Sequence, residues 1–238
     1  MARKAARKRA TPRKTPAAPP RGTSNRDKAI DALMALLTEH SFDRIGLAEV
    51  AGRAGIKLSD LRAEFGSTLA IFAAHIKDID RAVLDGGDDD MTDEPPRERL
   101  FDVLMRRLEI MSPYKDAVRS MMRSARRHPG LAMALNAMAV RSQKWMLEAA
   151  GINASGPRGA LRAQGGALML ARVVDAWLDG EDEEDSLDRA MAALNRGLAS
   201  AERWDGFVGD LCALPGCLIR RRPRRRRRYR DDEEAEAA

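Results

Sequence analysis

Residues 47–72 read Leu-Ala-Glu-Val-Ala-Gly-Arg-Ala-Gly-Ile-Lys-Leu-Ser-Asp-Leu-Arg-Ala-Glu-Phe-Gly-Ser-Thr-Leu-Ala-Ile-Phe. The first eight predict a short amphipathic helix with Val50, Ala51 and Ala54 turned inward, and Gly55 stands where a left-handed residue ends it. A second short helix is expected over 58–64, burying Leu58 and Leu61 and delivering Phe65 to the core. Ser67 then caps a longer helix in which Ile71, Phe72, Ile76, Ile79 and Val83 share one face, ending near Asp85-Gly86-Gly87. Upstream, Ser24 and Asp27 make an S-x-x-D helix start, followed by Ala29, Ile30, Leu33, Met34, Leu36 and Leu37 at helical spacing to about His40. Two short helices joined by a tight turn between longer ones are the arrangement of a helix-turn-helix, although an α-hairpin in any helical bundle shows much of the same pattern.

The rest of the chain continues the helical reading. Residues 85–94 have loop chemistry, Pro95-Pro96 is a good helix entry, and Leu100, Phe101, Leu104 and Leu108 recur at helical spacing. Ser112-Pro113 opens a helix to about Arg127, His128-Pro129-Gly130 breaks it, and a further helix is expected over 131–150. After a turn at 151–156 come a small-residue helix over 161–178, an acidic loop over 179–185 and a last helix over 186–204. Nine helices, no strand pattern and no repeat define an all-α chain. Its composition agrees: 44% hydrophobic residues suffice for a core, but only 4% are aromatic and 33% are charged, which excludes an all-β fold.

The same counts bound the chemistry. Two cysteines, Cys212 and Cys217, make neither a disulfide framework nor a CxxC motif, and His40, His75 and His128 share no metal-ligand spacing with them. The acidic run 181–185 lacks the glycine and ligand pattern of a calcium loop. Neither a metal nor another cofactor is expected, and no catalytic set is legible. There is no run of about 18 apolar residues and no apolar core of a secretory signal. Prolines and missing Leu or Phe likewise spoil an organelle presequence, so a cytoplasmic protein is expected.

The net charge of +6 is unevenly spread. Residues 1–26 hold nine Lys/Arg and no acid, residues 218–238 hold nine Arg and five acids, and the stretch between carries a net −7. Four prolines by residue 20 make 1–24 a disordered basic arm, suited to nucleic acid, an anionic membrane or simple solubility. Phe207, Val208, Leu211, Leu214, Leu218 and Ile219 precede the Arg-rich block 220–230, with Pro215-Gly216 expected to interrupt any helix there. This 207–238 tail reads as a second nucleic-acid contact or a disordered tail first, and a membrane contact second.

The quoted stretch resembles the signature of the TetR family of bacterial regulators, with Val50-Ala51, Ala54-Gly55-Ile56, Leu61, Phe65 and Ser67 in register. The resemblance implies a TetR-like architecture: a three-helix helix-turn-helix domain over 25–72 and a larger helical ligand-binding and dimerisation domain over 73–206. It also implies a homodimer that binds duplex DNA with its third helix in the major groove, controlled by a small hydrophobic effector. The candidate DNA contacts are Gly46, Lys57, Ser59, Asp60, Arg62 and Thr68. Gly46, Arg62 and Thr68 depart from the family's usual Thr or Ser, Tyr and Lys at phosphate-holding positions. With Glu64, the third helix exposes a net charge of zero, and residues 27–72 carry five Lys/Arg against seven Asp/Glu, so the basic arm is expected to supply affinity. Candidate effector contacts are Met105, Met121, Trp145, Met169 and Trp177, which plain core packing also explains. Ala160, Ala163, Gly165, Gly166 and Ala167 suit either a dimer face or close packing within one subunit.

A second resemblance leads to another function. Residues 97–107 and the helix around Trp177 are loosely similar to the TetR-fold lipid-binding accessory proteins of ubiquinone biosynthesis, which implies lipid binding without DNA binding. That reading accounts for the altered phosphate contacts, but less simply for the basic arm.

Overall fold

The computed structural model describes residues 24–87 and 93–218, with side chains described as far as residue 201. The basic arm, the centre of the 85–94 loop, the Arg-rich block and the side chains around both cysteines lie outside the described residues. Among the described residues there are nine α-helices and no strand. They are α1 (Asn25–Glu39), α2 (Leu47–Ala54), α3 (Leu58–Glu64), α4 (Thr68–Asp85), α5 (Pro96–Met111), α6 (Lys115–Arg127), α7 (Pro129–Ala149), α8 (Gly156–Leu178) and α9 (Glu183–Leu218). The chain divides into compact units at 1–198 and 199–238, and α9 crosses that division. No helix of the described residues is long and apolar enough to cross a membrane.

The helix boundaries follow local chemistry. Ser24 Oγ accepts the Asp27 N–H at 3.2 Å and Ser67 Oγ accepts that of Ala70 at 3.1 Å, so α1 and α4 each begin on a side-chain cap. Gly55 closes α2 at φ +65°, a left-handed conformation that a side chain would strain. Pro129 opens α7 within its first turn, where a missing N–H costs nothing.

Three boundaries in the last two helices differ from the sequence reading. Helix α8 starts at Gly156 rather than 161, because Ser155 takes the cap position and Pro157 fits the first turn. Helix α9 starts at Glu183 rather than 186, because the acidic run expected as loop forms its first turn, where the helix dipole favours negative charge. It also runs past 204: the backbone stays helical through Pro215-Gly216 and ends at Leu218.

Two apolar clusters organise residues 24–198. The first gathers Ile30, Leu33 and Leu37 of α1 with Val50, Leu61, Phe65, Ile71 and Phe72, and takes Ala117 and Met121 from α6. The second gathers Ile79 and Val83 of α4 with Leu104, Leu108, Met146, Val173, Trp177 and Leu194. Helix α4 therefore serves both clusters, its first half in one and its second in the other. Arg107, only 3% exposed, is ion-paired to Asp80 and donates to Ser142 Oγ at 2.7 Å, while Ser142 donates to Asp80 at 2.7 Å. That closed triangle ties α4, α5 and α7 with a buried charge that has its counterion.

Candidate nucleic-acid interface

Helices α2 and α3 are held at their turn by the Ile56 N–H bonding the Ala51 carbonyl at 3.1 Å, outside the ordinary helical ladder. Val50 (0% exposed) and Leu61 (1%) anchor them on α1, and that anchoring decides which side of α3 faces out. Lys57, Ser59, Arg62, Ala63 and Glu64 are exposed and Asp60 is half-buried. Leu58, expected in the core, is instead 53% exposed. It sits three residues from Leu61, but α3 is a single short helix on a narrow apolar contact, and Leu61 and Phe65 already fill it. The outward surface of α3 therefore carries an apolar group that spacing alone assigned to the interior.

The charges around this surface fall into committed and uncommitted sets. Arg26 reaches Asp78 of α4 with two hydrogen bonds of 2.9 and 2.8 Å, and the bond to Asp78 raises its guanidinium pKa. Its charge belongs to the fold rather than to the arm. Arg53 grips Glu39 through bonds of 2.8 and 2.6 Å and holds that carboxyl below its ordinary value. Asp43 is likewise lowered, first by a hydrogen bond from Ser41. Lys57 and Arg62, in contrast, have no ion-pair partner among the described residues.

Gly46 and Thr68 stand at the entries of α2 and α4. Gly46 is the N-cap of α2 at φ −93°, ψ 157°, makes no side-chain cap, and has no heavy atom within 4 Å of where a Cβ would project. Thr68 is half-buried in the first turn of α4, beside the capping Ser67.

The five candidate effector contacts do not converge. Met121 is buried in the first cluster, because α6 turns that face to α1, and Trp145 is 58% exposed on the outer face of α7. Met105 and Met169 are half-buried against the second cluster, to which fully buried Trp177 belongs. The Trp177 indole N–H has no hydrogen-bond partner among the described residues, and Lys115 Nζ lies 5.8 Å from its ring centroid. Two clefts, of about 240 and 210 Å³, open along α6, and arginines line both. Of the small residues of α8, Ala163 and Ala167 are buried and Gly166 lies against Gln143, whereas Ala160 and Gly165 are exposed.

No protein-family model matches the chain. No curated protein matches it either. Its fold does match solved structures. A TetR transcriptional regulator from Nitrosomonas europaea superposes with a TM-score of 0.58 at 21% identity, covering 74% of this chain and 97% of that one. A TetR-family transcriptional regulator from Rhodococcus superposes with a TM-score of 0.51 at 18% identity, covering 73% of this chain and 98% of that one. The all-helical arrangement is that of TetR regulators.

Proposed function

We propose, from a chain that has the TetR fold, that it is a transcriptional regulator binding duplex DNA as a homodimer, with α3 in the major groove. One observation carries this reading: Leu61 pins one side of α3 to the core while Lys57, Leu58, Ser59 and Arg62 face solvent, with two cations that no carboxylate among the described residues claims. Lys57, Ser59, Asp60 and Arg62 are the base- and backbone-contacting set, and Gly46 and Thr68 approach phosphates at the entries of α2 and α4. Exposed Leu161 and Leu168 on α8 and Met191 on α9 support a dimer through those helices, with Ala160 and Gly165 allowing close approach. Effector control is proposed for the second cluster, where Met105, Met169 and the unpartnered indole of Trp177 are the candidate contacts. The test is selection of duplexes from a random pool by the full-length protein at low salt. An enriched motif with two half-sites supports the reading, and no enrichment with the basic arm intact refutes it.

Lipid binding in place of DNA binding is the second reading. The net −2 over residues 27–72 and the bare Gly46 cap favour it. Co-purification of an isoprenoid lipid by a chain that never retains duplex DNA is the result that selects it.

A further inference from the structure

We propose that the cleft between the end of α1 and the C-terminal half of α6 is a binding site for a phosphate group. The cleft has a volume of about 240 Å³ and its wall includes His40, Ser41, Ser120, Arg123, Ser124 and Arg127. Helix α6 carries four arginines between 119 and 127, and they divide into two pairs. Arg119 is held by Asp116 and the Leu178 carbonyl, and Arg126 by Asp175 at 2.8 Å. Arg123 and Arg127 have no hydrogen-bond or ion-pair partner among the described residues, and both line this cleft. At i and i+4 their side chains are neighbours on one helix face, an arrangement that disfavours the helix unless an anion sits between them.

The floor of the cleft points to the same class of ligand. Ser124 is 2% exposed, and its Oγ accepts the Phe42 N–H at 3.1 Å, which leaves its hydroxyl proton to donate. Ser120, 5% exposed, spends its proton on the His40 carbonyl at 3.0 Å. The one carboxylate in the wall, Glu39, is already bound by Arg53. The available groups are thus two guanidinium forks and a buried hydroxyl donor, with the wall's carboxylate already engaged by Arg53, which is the chemistry that holds a phosphate dianion. The volume leaves room beyond one phosphate, so the ligand is a small phosphorylated molecule or a backbone phosphate of bound DNA. The same serines bind the loop that leads into α2, so an occupant would sit against the segment positioning the short helices.

The probe is inorganic pyrophosphate, titrated calorimetrically into the full chain at moderate salt and compared with R123Q/R127Q, with R141Q on α7 as control. Both cleft arginines are exposed, so the double variant is expected to keep the wild-type circular dichroism and unfolding midpoint. Pyrophosphate affinity should fall at least about tenfold in R123Q/R127Q, recover partly in R123K/R127K, and stay unchanged in R141Q. In a second arm, the affinity of each variant for a selected duplex assigns the source. A loss confined to pyrophosphate identifies a free phosphorylated ligand, and a loss for duplex identifies a DNA phosphate. Equal affinity of wild type and R123Q/R127Q for both probes overturns the site, and it does so whether or not the chain binds DNA through α3.

Discussion

Leu58→Ala and Leu61→Ala alter the same side chain on the same seven-residue helix, yet the structure assigns them opposite consequences. Leu61 is 1% exposed between α1 and α2, so truncation leaves a cavity and should cost about 2–5 kcal/mol of stability. Leu58 is 53% exposed; less than half of the roughly 1.5–3 kcal/mol available from burying a leucine is realised, and alanine is the better helix former. Leu58→Ala should therefore shift stability by under about 1 kcal/mol. Urea titration followed by circular dichroism measures both, with an unchanged slope as the check that the unfolded state is the same. On DNA the order should invert: folded Leu58→Ala should bind a selected site more weakly, because an exposed apolar group at the start of a reading helix matches the methyl of thymine. Replacing that thymine by deoxyuridine removes one methyl, worth about 0.8 kcal/mol or roughly fourfold in affinity, from wild type and nothing from Leu58→Ala. Equal destabilisation by the two substitutions would refute the orientation of α3, and an equal uracil penalty in both proteins would refute the contact.

Four further outcomes are expected. Gly55→Ala has open space for its methyl at φ +65°, so its cost is conformational alone, about 1–2 kcal/mol by chemical denaturation. Gly46→Thr, which also meets no neighbour, should add a few tenths of a kcal/mol through a side-chain cap on α2 and tighten DNA binding, read by fluorescence anisotropy. Arg107→Met strands Asp80 beside Ser142, between α4 and α7, and should cost about 3–5 kcal/mol; a neutral result would show the ion pair to be dispensable. Deleting residues 1–23 removes eight Lys/Arg and should lower the slope of log affinity against log salt by several, with an upper bound of about 7; an unchanged slope gives the arm another task.

The helices around α3 were legible because each carries its own punctuation: Ser24 and Ser67 cap, Gly55 stops, and Val50 with Ala51 marks the inward face of α2. What was illegible depended on partners in other segments. Periodicity scores Leu58 and Leu61 alike, and only the width of the contact on α1 decides that one of them is left outside. Arg26 counts among the nine cations of residues 1–26 until Asp78, 52 residues on, takes its charge. Met121 and Met105 look equivalent along the chain, but α6 turns one to the first cluster while α5 turns the other to the second. The acidic run that opens α9 has loop composition, whereas in the first turn of a helix its charge is locally favourable.

The placement of cations constrains how any DNA affinity must be divided. With Arg26 spent on Asp78 and Arg53 on Glu39, the short-helix module cannot draw much counterion-release energy from its own surface. Lys57 stands at the N-cap of α3 and Arg62 on the helix itself, where a side chain that reaches a base contributes discrimination rather than bulk affinity. A module so built holds duplex only when other cations supply the non-specific term, and the chain has them in the eight Lys/Arg before residue 24. The two proposed readings then make opposite demands on one measurement. For a regulator, the ratio of specific to non-specific affinity should survive removal of the arm while both affinities fall together. For a lipid carrier there is no ratio to preserve, since α3 selects nothing and residual binding follows charge alone.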